Sequence, residues 1–438
     1  MIEIKTVGGF SEIGKNMTAL CVDDEVVILD MGLYMPVVVS FDETAEKFGE
    51  HDMIKCGAIP DDSVIDDWKD KVVAICLGHA HLDHIGAVPY LAKKYHSDIF
   101  GTPFTIEVLR KIIKDKGRKV PNKLKAINPN SKVKISDKIT LEFINMTHST
   151  LQVAMIAVHT PEGIILYAND FKFDNNPILG KKPNYERLQE LKGKIICLIV
   201  DSLYSGLEVK TPSEKVAREM LEDVLLGTNN KGKAVVVTTF SSHLARIKSI
   251  IDFGKRMKRK IIILGRSMNK YIGAAEKIKL VDFSKKAEIV GFGNKIRNKL
   301  NILSKCKRDE YLIIVTGNQA EPGSGLDRMV NGAFRFKPED NVIFSSSVIP
   351  DKINIENRKK MEDKLKKKGV RIFTNIHVSG HCGREDLRDL VNMVKPEHII
   401  PAHGAWDKVK PMAELAKEMG YHKDKIHLVH NGQKIKLA

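Results

Sequence analysis

Four metal-capable side chains fall within the six residues His79-Ala80-His81-Leu82-Asp83-His84. The run before them, residues 72–77, is apolar and β-prone and reads as a buried strand, and residues 85–95 read as a helix. The cluster therefore sits on a strand-to-helix turn at the carboxyl end of a strand, where α/β sheets place their chemistry. Backbone direction changes at each residue of such a turn. His79 and His81 can face one point while Asp83 and His84 face a second point close by. Imidazole suits zinc and related divalent metals, and a carboxylate holds a metal or orients a water. A hydrolase that works with two metals needs this combination.

The remaining donors lie far away in sequence, each just after a hydrophobic run. His148 follows residues 139–146, Asp170 follows 163–169, and His403 stands in Pro401-Ala402-His403-Gly404. Residues 17–22 and 26–29 read as a hairpin around Asp23-Asp24-Glu25, and its second strand ends at Asp30. A sheet that brings its strand ends to one edge would collect these groups. His79, His81, His148 and Asp170 would then complete one site, and Asp83, His84, His403 and a shared Asp170 the other. Water held between two such metals loses a proton near neutrality. Asp30 and Asp201 are expected to orient ligating imidazoles, although a strand-end carboxylate capping a turn fits them equally.

Between residues 206 and 345 the pattern changes. Helical runs at 213–226 and 243–255 alternate with short apolar strands at 234–238, 260–264, 311–315 and 341–345. This is β-α-β alternation, which predicts a doubly wound parallel sheet. After residue 346 come a charged helix (354–368), a strand-like run (370–376), and His377, His381 and His403. The expected organisation is a metal-binding domain in two parts, 1–205 and 346–438, interrupted by an inserted α/β domain at 206–345.

The 438 residues carry a formal net charge of +16, which favours a polyanionic partner, nucleic acid before an anionic membrane face. Six cysteines are scattered without a CxxC pair, as suits a reducing cytosol. No apolar run is long enough to span a bilayer, and the amino terminus opens on strand-like sequence rather than a signal peptide. The expected location is the cytoplasm, without a membrane.

The pattern HxHxDH followed by separate His, Asp and His residues resembles the metallo-β-lactamase superfamily. Every position is filled: His79, His81, Asp83, His84, His148, Asp170 and His403. The redox branch of that superfamily typically carries glutamate at the second histidine. Here it is His81, which favours hydrolysis. Asp201 in Val200-Asp201-Ser202 and the stretch His377-Val378-Ser379-Gly380-His381 resemble motifs of the β-CASP group, the nucleic-acid-processing branch. Within that group, Val7 to Met17, Thr239-Phe240-Ser241-Ser242, Gly265-Arg266-Ser267-Met268 and Thr316-Gly317-Asn318-Gln319-Ala320-Glu321-Pro322 resemble the ribonuclease J family. Bacterial members continue into a further C-terminal domain. This chain ends at Ala438 after residues 426–437, read as strand-turn-strand, and so resembles the archaeal type.

The resemblance implies an αββα metallo-β-lactamase sandwich with an inserted β-CASP domain, and two Zn²⁺ per chain with Mn²⁺ or Mg²⁺ as substitutes. It implies that residues 377–381 hold a phosphate of RNA and that Ser241 and Ser242 form a pocket for a 5′-monophosphate. Residues 241–243 read equally well as a helix N-cap. Small Ser379 and Gly380 permit close backbone approach, and residues 383–387 open a helix whose N–H groups attract phosphate. His381 could protonate the departing 3′ oxygen, beside Asp83 at the metals. The expected function is hydrolysis of RNA phosphodiesters, mainly as a 5′-to-3′ exonuclease on 5′-monophosphorylated RNA, with endonuclease activity if the channel between the domains admits internal segments. By resemblance the assembly is a homodimer working with RNA-decay partners. Two rivals differ in class: a small-ester hydrolase on the same scaffold, and a catalytically silent RNA-binding subunit.

Overall fold

A computed structural model describes residues 1–39, 48–349 and 352–437. The chain divides into two compact units. The first comprises residues 1–175, 180–211 and 380–438, and the second residues 176–179 and 212–379.

The first unit is built on two sheets. One has seven strands in the order Lys434–Leu437, Ile2–Gly8, Met17–Val22, Glu25–Leu29, Val72–Leu77, Asp98–Gly101 and Leu124–Ala126. The other has six, in the order His398–Ala402, Ile195–Asp201, Gly163–Ala168, Val153–Thr160, Thr140–Met146 and Ser131–Lys134. Side chains alternate across a strand. Ile2 and Ile4, Leu20 and Val22, and Val27 and Leu29 thus share one face and pack on Leu141, Phe143, Ile156, Val158, Ile165 and Ile199 of the second sheet. The opposite face of that sheet carries Ile144, Met155, Leu166, Leu198 and Ile399. It is covered by Leu387, Leu390 and Val391 of helix Arg384–Val394 and by Met412 and Leu415 of helix Trp406–Glu418. This is the expected layered sandwich.

The turn between Met17–Val22 and Glu25–Leu29 has only Asp23 and Asp24 in its loop, with Asp23 in the left-handed region at φ 55°. The helix expected over 85–95 is instead three short pieces, Leu82–Ile85, Val88–Leu91 and Ala92–Lys94. The carbonyl of Asp83, which Ala87 N–H would meet in a continuous helix, accepts from Asn16 N at 3.0 Å, while Ala87 N donates to Met31 O at 2.9 Å. Only one strand, Lys434–Leu437, forms where strand-turn-strand was expected. Ile426 makes an isolated bridge to Ile399.

The second unit holds an all-parallel sheet in the order Glu288–Val290, Lys260–Leu264, Tyr311–Val315, Val235–Thr238, Asn341–Phe344 and Arg371–Phe373. Its central strands are buried on both faces, which is why they read as unbroken apolar runs rather than alternating ones. Arg371–Phe373 pairs with Asn341–Phe344, so residues 352–379 stay with this unit and the chain returns to the first at Gly380, later than residue 346.

A fully buried arginine ties the second unit together. Arg246 donates from Nε and Nη2 to the two Glu214 oxygens at 2.6 and 2.8 Å, and from Nη1 to Ser345 O at 2.9 Å and Ile376 O at 3.2 Å. Burial alone would raise the Glu214 carboxyl pKa, but His243 and Arg246 hold it well below the usual range. Removing one partner of such a pair leaves an uncompensated buried charge, at a cost of about 3–5 kcal/mol. Arg246→Ala should lower the unfolding free energy of the intact chain by that amount, seen as a lower denaturant midpoint followed by circular dichroism. An unchanged midpoint would contradict the assignment.

Candidate metal centre

The sandwich brings separate strand ends to one place. Asp30 follows Glu25–Leu29, His79 follows Val72–Leu77, His148 follows Thr140–Met146, Asp170 follows Gly163–Ala168, and His403 follows His398–Ala402. His81 is the N-cap of helix Leu82–Ile85, which places Asp83 and His84 in its first turn. Lys172 N donates to Thr147 O at 2.8 Å, and Thr147 Oγ1 donates to Lys172 O at 2.6 Å, which locks the loops bearing His148 and Asp170 together. Asp30 and His403 both sit at φ 60°, a left-handed conformation that non-glycine residues hold only where the surroundings enforce it. Asp30 N is held by Cys76 O at 2.8 Å and His403 N by Gly9 O at 2.7 Å.

Three overlapping donor groups result among the described residues: His79, His81, His148 and Asp170; Asp83, His84, Asp170 and His403; and Asp170, Asp201, His381 and His403. The first two are the pair expected from the sequence. Asp170 Oδ2 lies 3.6 Å from His79 Nε2, 3.6 Å from His148 Nε2 and 3.3 Å from His84 Nε2. His148 Nε2 lies 3.2 Å from His81 Nδ1, and Asp83 Oδ2 lies 3.7 Å from His84 Nε2 and 4.0 Å from His403 Nε2. Donors around a tetrahedral zinc at ~2.1 Å stand ~3.4 Å apart, so these spacings suit a small cation. Both ring nitrogens of His79 and Oδ1 of Asp170 are buried without a hydrogen bond, which a fully protein-satisfied cluster would not leave. The donor set fits divalent metal in both positions.

Ionisation suits it too in the first group. In the second, burial alone would lower His84, but Asp170, Asp83 and Asp30 outweigh it and hold the ring well above the ordinary histidine value, so a metal there would displace a proton. Burial pushes His79 and His148 well below the ordinary histidine value and His81 down to about 4, so these rings are neutral, the form that ligates. Burial alone would raise Asp170, but His403, His84 and His381 hold it well below the usual carboxylate range.

The outer partners fix which nitrogen faces inward. Asp30 accepts from His84 Nδ1 at 2.6 Å, Gly78 N at 2.8 Å and Tyr167 OH at 2.9 Å. Gly380 O accepts from His148 Nδ1 at 2.6 Å. Glycine is required at 380, because a methyl group there would lie 2.8 Å from the His148 ring. Asn16 was not anticipated. Its Oδ1 accepts from His403 Nδ1 at 3.0 Å, and its Nδ2 lies 3.1 Å from His84 Nε2 and from the Asp83 carbonyl. Nothing local marks Asn16 or Tyr167, since their partners lie far away in sequence.

Asp201 takes a different part from the one expected. Its Oδ2 accepts from Nδ1 of His381 at 2.7 Å, so it orients His381, a ring of the third donor group rather than one of the seven expected ligands. Burial lowers the His381 pKa, but Asp201 and Asp170 outweigh it and raise it to about 9. Its Nε2 lies 3.9 Å from Asp170 Oδ2. His377, Val378 and Ser379 belong to the second unit, as do Ser241 and Ser242. His377 stands 6.2 Å from Phe240, ring to ring. The helix after residue 243 is capped by His243, whose Nδ1 accepts from Arg246 N, so Ser241 and Ser242 are not its cap. Ser241 Oγ pairs instead with Ser267 Oγ at 2.7 Å.

Outer partners of metal-bound histidines typically contribute about 10- to 100-fold in metal affinity. Asn16→Ala and Asp30→Asn should each weaken metal retention by that factor in a chelator competition, with the fold preserved. Wild-type retention in both would contradict the assigned roles.

Residues 67–194 match the family description "Metallo-beta-lactamase superfamily", 232–365 "Ribonuclease J, beta-CASP domain", and 368–428 "Zn-dependent metallo-hydrolase RNA specificity domain". A crystal structure of a protein of unknown function from Enterococcus faecalis shares the fold over 99% of both chains, with a TM-score of 0.68 at 16% identity. The chain is 42% identical to ribonuclease J of Methanocaldococcus jannaschii, covering 99% of this chain and 98% of that one. It is 43% identical to ribonuclease J of Pyrococcus abyssi, covering 100% and 97%. Ribonuclease J 1 of Streptococcus pyogenes is 30% identical, and there the match covers 74% of the relative. The two archaeal relatives thus match along nearly their whole length and across both units, and the chain belongs to the ribonuclease J family.

Proposed function

We propose that this metal-dependent ribonuclease holds two zinc ions, with manganese or magnesium as substitutes. His79, His81, His148 and Asp170 would hold one, and Asp83, His84, His403 and the same Asp170 the other. The observation that carries this reading is Asp170 Oδ2, within 3.6 Å of ring nitrogens from both donor groups. A pair of cations so held supplies a water deprotonated near neutrality and neutralises charge gathering on the phosphoryl oxygens.

The chain's own residues do the rest. Asp30, Asn16 and the Gly380 carbonyl keep His84, His403 and His148 turned inward. Asp83 is the more open ligand, its side chain 21% exposed, and stands where substrate arrives. His381, aligned by Asp201, binds a phosphoryl oxygen and in its protonated form gives its Nε2 proton to the departing 3′ oxygen. Backbone N–H groups of residues 377–380 steady the phosphate. Ser241 and Ser242 receive a 5′-monophosphate, which directs cleavage from 5′ to 3′, with endonuclease cuts secondary. The +16 charge suits a polynucleotide better than a small ester, and a complete donor set argues against a silent RNA-binding subunit. Among the described residues no helix is long and apolar enough to cross a membrane. In the cell we place the chain in the cytoplasm, as a homodimer acting in RNA processing and decay beside protein partners.

The test compares 5′-hydroxyl, monophosphate and triphosphate RNAs of one sequence with zinc or manganese. Mononucleotides released from the 5′ end, fastest from the monophosphate, are expected. Long internal fragments alone would exclude the exonuclease reading. Asp83→Ala should reduce turnover to the level of a chelated control. His381→Ala should cost about 10²- to 10⁴-fold in turnover while metal content holds; full activity in either variant would contradict its role.

A further inference from the structure

The chain has two tryptophans, and they are placed in opposite ways. Trp68 is buried, with the Lys5 ammonium 4.3 Å from its ring. Trp406 is 47% exposed. Tryptophan, apolar in body with a polar N–H, is enriched at interfaces. Neither of the two core clusters described for the first unit includes Trp406. It lies against the exposed imidazole of His430 instead, centroids 5.4 Å apart and planes 21° from parallel.

This platform is tied to the metal centre by short, rigid links. Trp406 opens helix Trp406–Glu418, three residues after His403. His430 stands in a turn held by Thr6, whose Oγ1 donates to His430 O at 2.6 Å, and its Nδ1 lies 3.4 Å from Ser11 Oγ. The neighbouring Asn431 accepts from Phe10 N at 3.0 Å and donates to Glu12 Oε1 at 2.9 Å. The same loop, residues 9–16, supplies the Gly9 carbonyl to His403 N and the Asn16 amide to His84 and His403. One loop therefore braces both the candidate ligands and the aromatic pair.

We propose that Trp406, backed by His430, is a stacking platform for a nucleobase of single-stranded RNA beside the scissile phosphate, which rests on the ribonuclease reading above. A flat aromatic ring with one face covered by a second ring offers its other face to a planar ligand at little entropic cost. Every base has a π-face, so the grip tolerates sequence, as a processive ribonuclease needs. The +16 charge draws the backbone in, and the ring adds affinity that salt does not screen.

Because Trp68 is buried, fluorescence changes on adding RNA report Trp406. In the Asp83→Ala chain, single-stranded RNA should quench the emission, and the quench should vanish in Asp83→Ala/Trp406→Phe. In the active enzyme Trp406→Ala should raise KM for single-stranded RNA by about 5- to 150-fold with kcat and metal content held, and Trp406→Phe should restore most of the loss. Bound RNA, followed by anisotropy of a labelled strand, without quench, or a KM within about twofold of wild type in Trp406→Ala, would overturn the platform and leave the ribonuclease reading standing. A chain that neither binds nor cuts RNA would remove both.

Discussion

Everything in the first unit turns on one buried carboxylate. Asp170 Oδ2 has imidazole nitrogens of His84, His79, His148 and His381 at 3.3, 3.6, 3.6 and 3.9 Å. Taking a carboxylate out of water costs several kcal/mol unless opposing charge is arranged around it. These rings approach from two sides of one oxygen, and on the proposed reading the cations between them supply the opposing charge. On that reading Asp170 would serve both positions, so losing it would disturb both at once.

The scaffold makes that arrangement possible. Two sheets pack through alternating apolar faces, and the strands of each deliver the candidate donor residues at their ends. Two left-handed non-glycine residues stand there. Asp30 and His403 pay for φ 60° with hydrogen bonds from their own amides and, in Asp30, with three partners on its carboxylate. Rigid placement of this kind is what a ribonuclease needs if one centre is to act on successive phosphates of a long polymer.

The legible parts of the chain were those whose chemistry is local. The HxHxDH cluster announces itself because four donors crowd one turn, and the inserted sheet shows as apolar runs at βα spacing. Interactions between distant segments were not legible. Asn16 reaches His403 across 387 positions, and Tyr167 reaches Asp30 across 137. Asp201 has the look of a ligand-orienting carboxylate but aligns His381, because its strand ends beside the chain's return to the first unit. The boundary near 346 was placed too early, since a three-residue edge strand at Arg371–Phe373 carries little periodicity of its own. The broken helix after residue 85 follows from a tertiary hydrogen bond to the Asp83 carbonyl, which no local propensity encodes.

Two cations meeting at Asp170 are the central requirement of the proposed function. Anomalous difference maps from crystals of the intact chain, collected on either side of the zinc absorption edge, test this most directly. Two peaks about 3.5–4 Å apart, one on each side of the Asp170 carboxylate and each near three of the six remaining ligands, are predicted. A single peak, or peaks elsewhere in an enzymatically active preparation, would contradict it.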